Sequence, residues 1–146
     1  MAISRAHASW SGKLGDGSGE VSAQSRAFER LPLTWAARTE RQSPERTSPE
    51  ELIAAAHAGC YSMALAHALD QAGSPPERLE VDSAVHFTPQ EGGGMGISKI
   101  ELTVRATVPG LSPERFDELA AEGEQGCPVS NALRGGVGID LHASLS

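Results

Sequence analysis

The chain has 146 residues, 12 Lys and Arg against 19 Asp and Glu, and a formal net charge of −7. A chain of this length fits one domain over residues 1–146, and such a domain buries about 70% of the surface its unfolded chain exposes. The charge balance and the lack of any basic run argue against a nucleic-acid partner and against an anionic membrane surface.

The opening MAISRAHASW carries no apolar signal core, so the expected compartment is the cytoplasm. Polar and apolar residues loosely alternate over 5–10, which predicts a strand, and GKLGDGSG over 12–19 predicts a turn. EVSAQSRAF predicts a second strand and LPLTWAARTE a third, with Arg38 near its end. RQSPERTSPEE is a polar connection that closes on a helix start. Ser48 fits the N-cap, Pro49 the first helical position and Glu51 the third, which is a capping box. The helix should then run to about Gln71 and stop at AGSPP. It is apolar on nearly all sides, so it should be covered on nearly all sides. Its Ala content and its His57 and His67 favour a buried helix over a membrane span.

LEVDSAVHFTP predicts a strand, QEGGGMG a turn, and ISKIELTVRATVPG a long strand with Ile100, Leu102, Val104 and Ala106 on its buried face. LSPERFDELAAEGEQG predicts a helix capped by Ser112, with Leu111 stapled onto Phe116 and Gly126 as its breaker. CPVSNALRGG restarts a short helix with Pro128 at its first position, and VGIDLHASLS closes as a strand. The sum is an α+β domain, an antiparallel sheet with a buried central helix. Hydrophobic residues are 39% and aromatics 4%, so the core is thin and a second subunit would help it.

Two cysteines in a reducing compartment point to catalysis, metal binding or inert packing before a structural staple. Cys60 lies mid-helix among Ala, Gly, Tyr and Met, where a thiol also serves as a small hydrophobe. Cys127 precedes Pro128 at a helix start, where backbone N–H groups favour a thiolate. Together the two can cycle between thiols and a disulfide. A buried thiol needs a cation to ionise, and Arg38 is the candidate, with a solvated strand arginine as the alternative. Glu51 is explained by the cap, but Glu50 is not needed for it. Ten residues of straight helix separate Glu50 from Cys60, about 15 Å, so a shared site needs a broken helix or a second subunit. His57, three residues before Cys60, is either a base for the thiol or a core histidine with one hydrogen bond. A zinc site from His57, Cys60, His67 and Cys127 has no supporting spacing.

TSPEELIAAAHAGCYSMAL, followed much later by GCPVSNAL, resembles the OsmC/Ohr family of osmotically inducible and organic-hydroperoxide-resistance proteins. The likeness runs nearly the full length, through PGLSPERFDELA, and favours the OsmC branch. The resemblance implies an OsmC-like fold in an intertwined homodimer, and a thiol-dependent peroxidase acting on organic hydroperoxides and less well on hydrogen peroxide. It implies Cys60 as the peroxidatic cysteine, Cys127 as the resolving one, Glu50 as the family's acidic residue and Arg38 as its arginine, with Arg41 and Arg46 as competitors. An external dithiol of lipoyl type or similar would reduce the disulfide, with no cofactor and no metal. Gly59 stands where a second alanine is commoner. A sensing or metal-holding module using the same cysteines is the rival from a different class.

Overall fold

The computed structural model describes residues 1–40 and 45–146. The element order is β1 (Ala6–Ser11), β2 (Ser18–Ala23), β3 (Leu31–Leu33), α1 (Ala36–Thr39), α2 (Pro49–Gln71), β4 (Arg78–Pro89), β5 (Met95–Thr107), α3 (Pro113–Gly126), α4 (Pro128–Leu133) and β6 (Gly138–Leu145). The chain is α+β and forms two compact units, Met1–Leu52 and Ile53–Ser146.

In the first unit β1, β2 and β3 make an antiparallel sheet in that order. The third strand is shorter than its sequence predicts. After Leu33 the chain turns helical, so Arg38 sits in the last turn of α1 and not on a strand. Thr34 decides this locally, because its Oγ1 accepts the backbone N–H of Ala37 at 3.2 Å and starts the turn. The helix start at Ser48 forms as expected on one side. Ser48 Oγ accepts the N–H of Glu51 at 3.0 Å, a cap that contributes about 1 kcal/mol. The Glu51 carboxylate accepts instead from the Thr47 hydroxyl at 2.9 Å.

In the second unit β5 is the central strand of a sheet ordered β4-β5-β6. Residues Ile100, Leu102, Val104 and Ala106 are all fully buried, as the alternation requires. The β4–β5 pair is antiparallel, with a register shift at His86/Phe87. The β5–β6 pair is parallel, which corrects the all-antiparallel expectation. The reason lies in the connection over 108–137, which carries α3 and α4. A helical crossover returns the chain to the same end of the sheet, so the next strand runs alongside the last in the same direction.

Tyr61, Leu65 and Leu69 of α2 form one cluster with Leu102, Val104 and Ala106 of β5, Phe116, Leu119 and Ala120 of α3, and Cys127. Leu111 packs against that cluster, as a staple onto Phe116 requires. The spacing 61, 65, 69 is one face of a helix. The opposite face of α2, including Ala55, Ala56, Gly59 and His67, is exposed, and Met63 is 70% exposed. Among the described residues of the second unit, a helix apolar all round is thus packed on the face carrying Tyr61, Leu65 and Leu69. Its length and composition alone would also satisfy a membrane span.

Helix α3 comes close to α2 at Gly123. A Cβ there would lie 3.0 Å from the Cα of Leu65 and 3.2 Å from its Cβ. Gly123→Val therefore forces the two helices apart and should lower stability by about 2 kcal/mol. Urea unfolding measures it, and an unchanged midpoint would show that α3 can shift at no cost.

Candidate functional site

Cys60 projects from the middle of α2, and Cys127 is the N-cap of α4. Each of these places follows from local sequence. Gly126 ends α3, and Pro128, whose missing N–H is harmless at a first helical position, starts α4. Cys127 is left between them, and its sulfur accepts the backbone N–H of Ser130 at 3.5 Å. Cys127 is fully buried and Cys60 partly so, and both are free thiols.

The Cys60 thiol meets the backbone N–H of Val129 and the Cys127 sulfur at hydrogen-bonding distance. Burial pushes its pKa above the ordinary 9.0. The Val129 N–H pulls it down by less, and Cys127 adds to the rise. The second unit therefore sets the two sulfurs against each other while holding Cys60 protonated at neutral pH.

One turn further along the same two helices, His57 and Ser130 face each other. His57 Nε2 and Ser130 Oγ are 2.7 Å apart, and both residues are fully buried. His57 Nδ1 is buried with no hydrogen-bond partner among the described residues. Burial lowers the His57 pKa from 6.5, against a smaller upward pull from Glu124 on α3. His57 is thus a neutral core histidine with one hydrogen bond, the second of its two sequence readings. Tyr61, next to Cys60, is fully buried and donates its hydroxyl to Ala120 O at 3.0 Å. Burial, Glu124 and Cys127 all raise its pKa.

Glu124 is itself buried, 7% exposed, and is held by Arg134 at 2.9 Å. Neither this pair nor Ser130 stands out in the sequence. The available signal is spacing, since Ser130 follows Cys127 by three residues as His57 precedes Cys60 by three.

In the first unit Arg38 and Glu50 form a forked ion pair. Arg38 Nη2 lies 2.7 Å from Glu50 Oε1, and its Nε lies 3.2 and 3.3 Å from the two carboxylate oxygens. Glu50 is 6% exposed. The guanidinium carbon also sits 5.3 Å from the centre of the Trp35 ring, a cation–π distance. A carboxylate on two donors and an aromatic face together fix the direction of the guanidinium. Of the competing arginines, Arg46 is exposed and Arg41 lies outside the described residues. Helix α2 is unbroken from Pro49 to Gln71, which removes a broken helix as the way to bring Glu50 to Cys60.

For a metal, His67 is exposed, and among the described residues no three His, Cys, Asp or Glu side chains stand close enough to share an ion. The second unit also has an apolar cavity of about 290 Å³ lined by Ile53, Ile97, Ile100 and, on and after α4, Ala132, Leu133, Gly136 and Val137.

The buried histidine makes stability depend on pH. Its folded pKa lies below the 6.5 of the unfolded chain, so the unfolded state takes up the proton first as pH falls. The stability it contributes is fully present above about pH 6.5 and is lost progressively as pH drops towards the folded value. Protonation would also make both ring nitrogens donors, and Nδ1 meets no acceptor among the described residues. Thermal unfolding at pH 7.5 and 5.5 should show a drop that His57→Gln reduces; an equal drop in both proteins would assign it elsewhere.

Known proteins share this arrangement of sequence and fold. The family model for OsmC-like protein matches residues 42–142. Peroxiredoxin OsmC of Escherichia coli (strain K12) is 35% identical over 136 residues, 93% of each chain. The organic hydroperoxide resistance protein of Xanthomonas axonopodis pv. citri (strain 306) is 38% identical over 97 residues, 65% of each chain. The crystal structure of the organic hydroperoxide resistance protein OhrB of Bacillus subtilis superposes with a TM-score of 0.73 at 25% identity, covering 96% of this chain and 98% of that one. On the family match and the Escherichia coli relative together, the chain belongs to the OsmC family.

Proposed function

We propose that this chain is a thiol-dependent peroxidase that reduces organic hydroperoxides, and hydrogen peroxide less well, to alcohols. One observation carries the reading: the Cys60 thiol meets both the Cys127 sulfur and the Val129 N–H at the start of α4. Two free thiols at that approach can pass through a sulfenic acid to a disulfide and back. The relatives named peroxiredoxin and organic hydroperoxide resistance protein support the same chemistry.

The Cys60 thiolate attacks one peroxide oxygen, the O–O bond breaks, and the alkoxide takes a proton and leaves as the alcohol. Cys127 then attacks the sulfenyl sulfur, the S–S bond forms, and hydroxide leaves with a proton as water. A dithiol of lipoyl type or similar, available in the cytoplasm, reduces the disulfide. The alkyl part of the substrate needs an apolar lining. The cavity beside α4 offers Ile and Leu side chains.

The thiolate requires a cation, because burial alone keeps Cys60 protonated. Arg38 is that cation in this reading, with Glu50 and Trp35 aiming it. Glu50 and Cys60 stand ten positions apart on an unbroken helix, so the arginine and glutamate of one subunit serve the Cys60 of another. A homodimer is supported by the bare outer face of α2 and by β1, exposed at all six residues. The two units act as one domain within such a dimer. Sedimentation equilibrium should give about twice 15.2 kDa, and a monomer would remove the shared-site arrangement.

Stopped-flow mixing with cumene hydroperoxide and excess dithiol should show many turnovers per protein. A single stoichiometric oxidation would favour a sensing module instead. Arg38→Ala should lower kcat/KM by about a hundredfold or more, the scale of losing one charge-stabilising group, and Glu50→Gln by about tenfold. If His57→Ala costs more than Arg38→Ala, an imidazole base and not the guanidinium activates the thiol.

A further inference from the structure

We infer that His57 and Ser130 are positioning residues for disulfide closure: their buried tie sets how Cys127 is presented to the oxidised Cys60. The inference rests on the peroxidase reading above and adds a step-specific role to two residues outside the thiol, arginine and glutamate set.

The tie and the sulfurs span the same two helices. His57 precedes Cys60 by three residues on α2, and Ser130 follows Cys127 by three on α4. Each pair is therefore one turn from the other along both helices. The 2.7 Å contact between Nε2 and Oγ is fully buried, where a hydrogen bond is not exchanged for water. Ser130 is also bound to the resolving sulfur itself, since its backbone N–H points at Cys127 Sγ at 3.5 Å. A displacement of Ser130 is thus passed directly to that sulfur.

Helix α4 needs such a tie. At six residues it is far too short to be stable from its own hydrogen bonds. Its C-terminal end is anchored where Arg134 meets Glu124, and its N-terminal half is anchored by Ser130 on His57. Disulfide geometry tolerates little error, with a sulfur–sulfur distance near 2 Å and a dihedral near 90°. The closure step forms the Cys60–Cys127 bond and breaks the S–O bond of the sulfenic acid, with oxygen leaving as water. It depends on where Cys127 lies. The first step, attack of the Cys60 thiolate on the peroxide, depends on the cation and involves Cys127 only as a neighbour. Loosening α4 separates the two.

The test uses full-length protein, one equivalent of cumene hydroperoxide and no reductant. Loss of the first thiol, sulfenic acid trapped by dimedone, and disulfide are followed by rapid quench and mass spectrometry. Ser130→Ala and His57→Leu should change the first oxidation by no more than about threefold and slow closure by roughly tenfold to a hundredfold, the scale of a misplaced reacting group. Sulfenic acid should then accumulate and pass to sulfinic acid with excess peroxide. His57→Gln, whose amide nitrogen can reach Ser130, should restore most of the closure rate. Ser130→Ala removes a single oxygen and carries the test if His57→Leu fails to fold. Closure at the wild-type rate in Ser130→Ala, or an equal slowing of both steps, overturns the inference while leaving the peroxidase reading intact. A wild-type protein that leaves the hydroperoxide unconsumed overturns that reading, and the inference with it.

Discussion

The approach of Cys60 to the start of α4 is the constraint on which the second unit is organised. A thiol on a long helix is brought to a sulfur and a backbone N–H at the first turn of a short one. The arrangement demands that α3 end one residue before Cys127 and that α4 begin one residue after it. Gly126 and Pro128 meet both demands. It also demands that α3 lie close against α2, which Gly123 allows by presenting no side chain to Leu65. Core packing and thiol chemistry share these contacts, since Cys127 belongs to the same cluster as Tyr61, Leu65 and Phe116.

The electrostatics of the two units differ in kind. The second unit holds two thiols among apolar groups, with burial raising the Cys60 pKa. Its nearby charges, Glu124 and Arg134, neutralise each other. The first unit holds a guanidinium fixed by a buried carboxylate and an aromatic ring. An arginine constrained in this way loses little rotamer entropy when it meets an anion.

Much of this was legible in residue spacing. The capping Ser48, the alternation along β5, the helix break at Gly126 and the N-cap place of Cys127 are all local matters, decided within a few residues. Other features were not legible, for reasons that can be named. The short helix α1 replaces the end of a predicted strand because one hydroxyl, that of Thr34, captures a backbone N–H. The parallel pairing of β5 with β6 depends on the path of the crossover, which alternation cannot encode, because a strand reads the same in either direction. The His57–Ser130 tie joins residues 73 apart. Each looks unremarkable beside its own neighbours.

By itself the sequence determined the longer helices and strands, their boundaries near Gly and Pro, the buried face of β5, and the helix contexts of the two cysteines. These rest on backbone propensity and side-chain period, which act over one or two turns. Only the tertiary structure decided which face of the uniformly apolar α2 is covered, that Arg38 is gripped by Glu50, that Cys60 meets Cys127, and that His57 spends its hydrogen bond on Ser130. Those are contacts between segments distant along the chain. Their free energies depend on which surfaces meet, a quantity no local pattern contains.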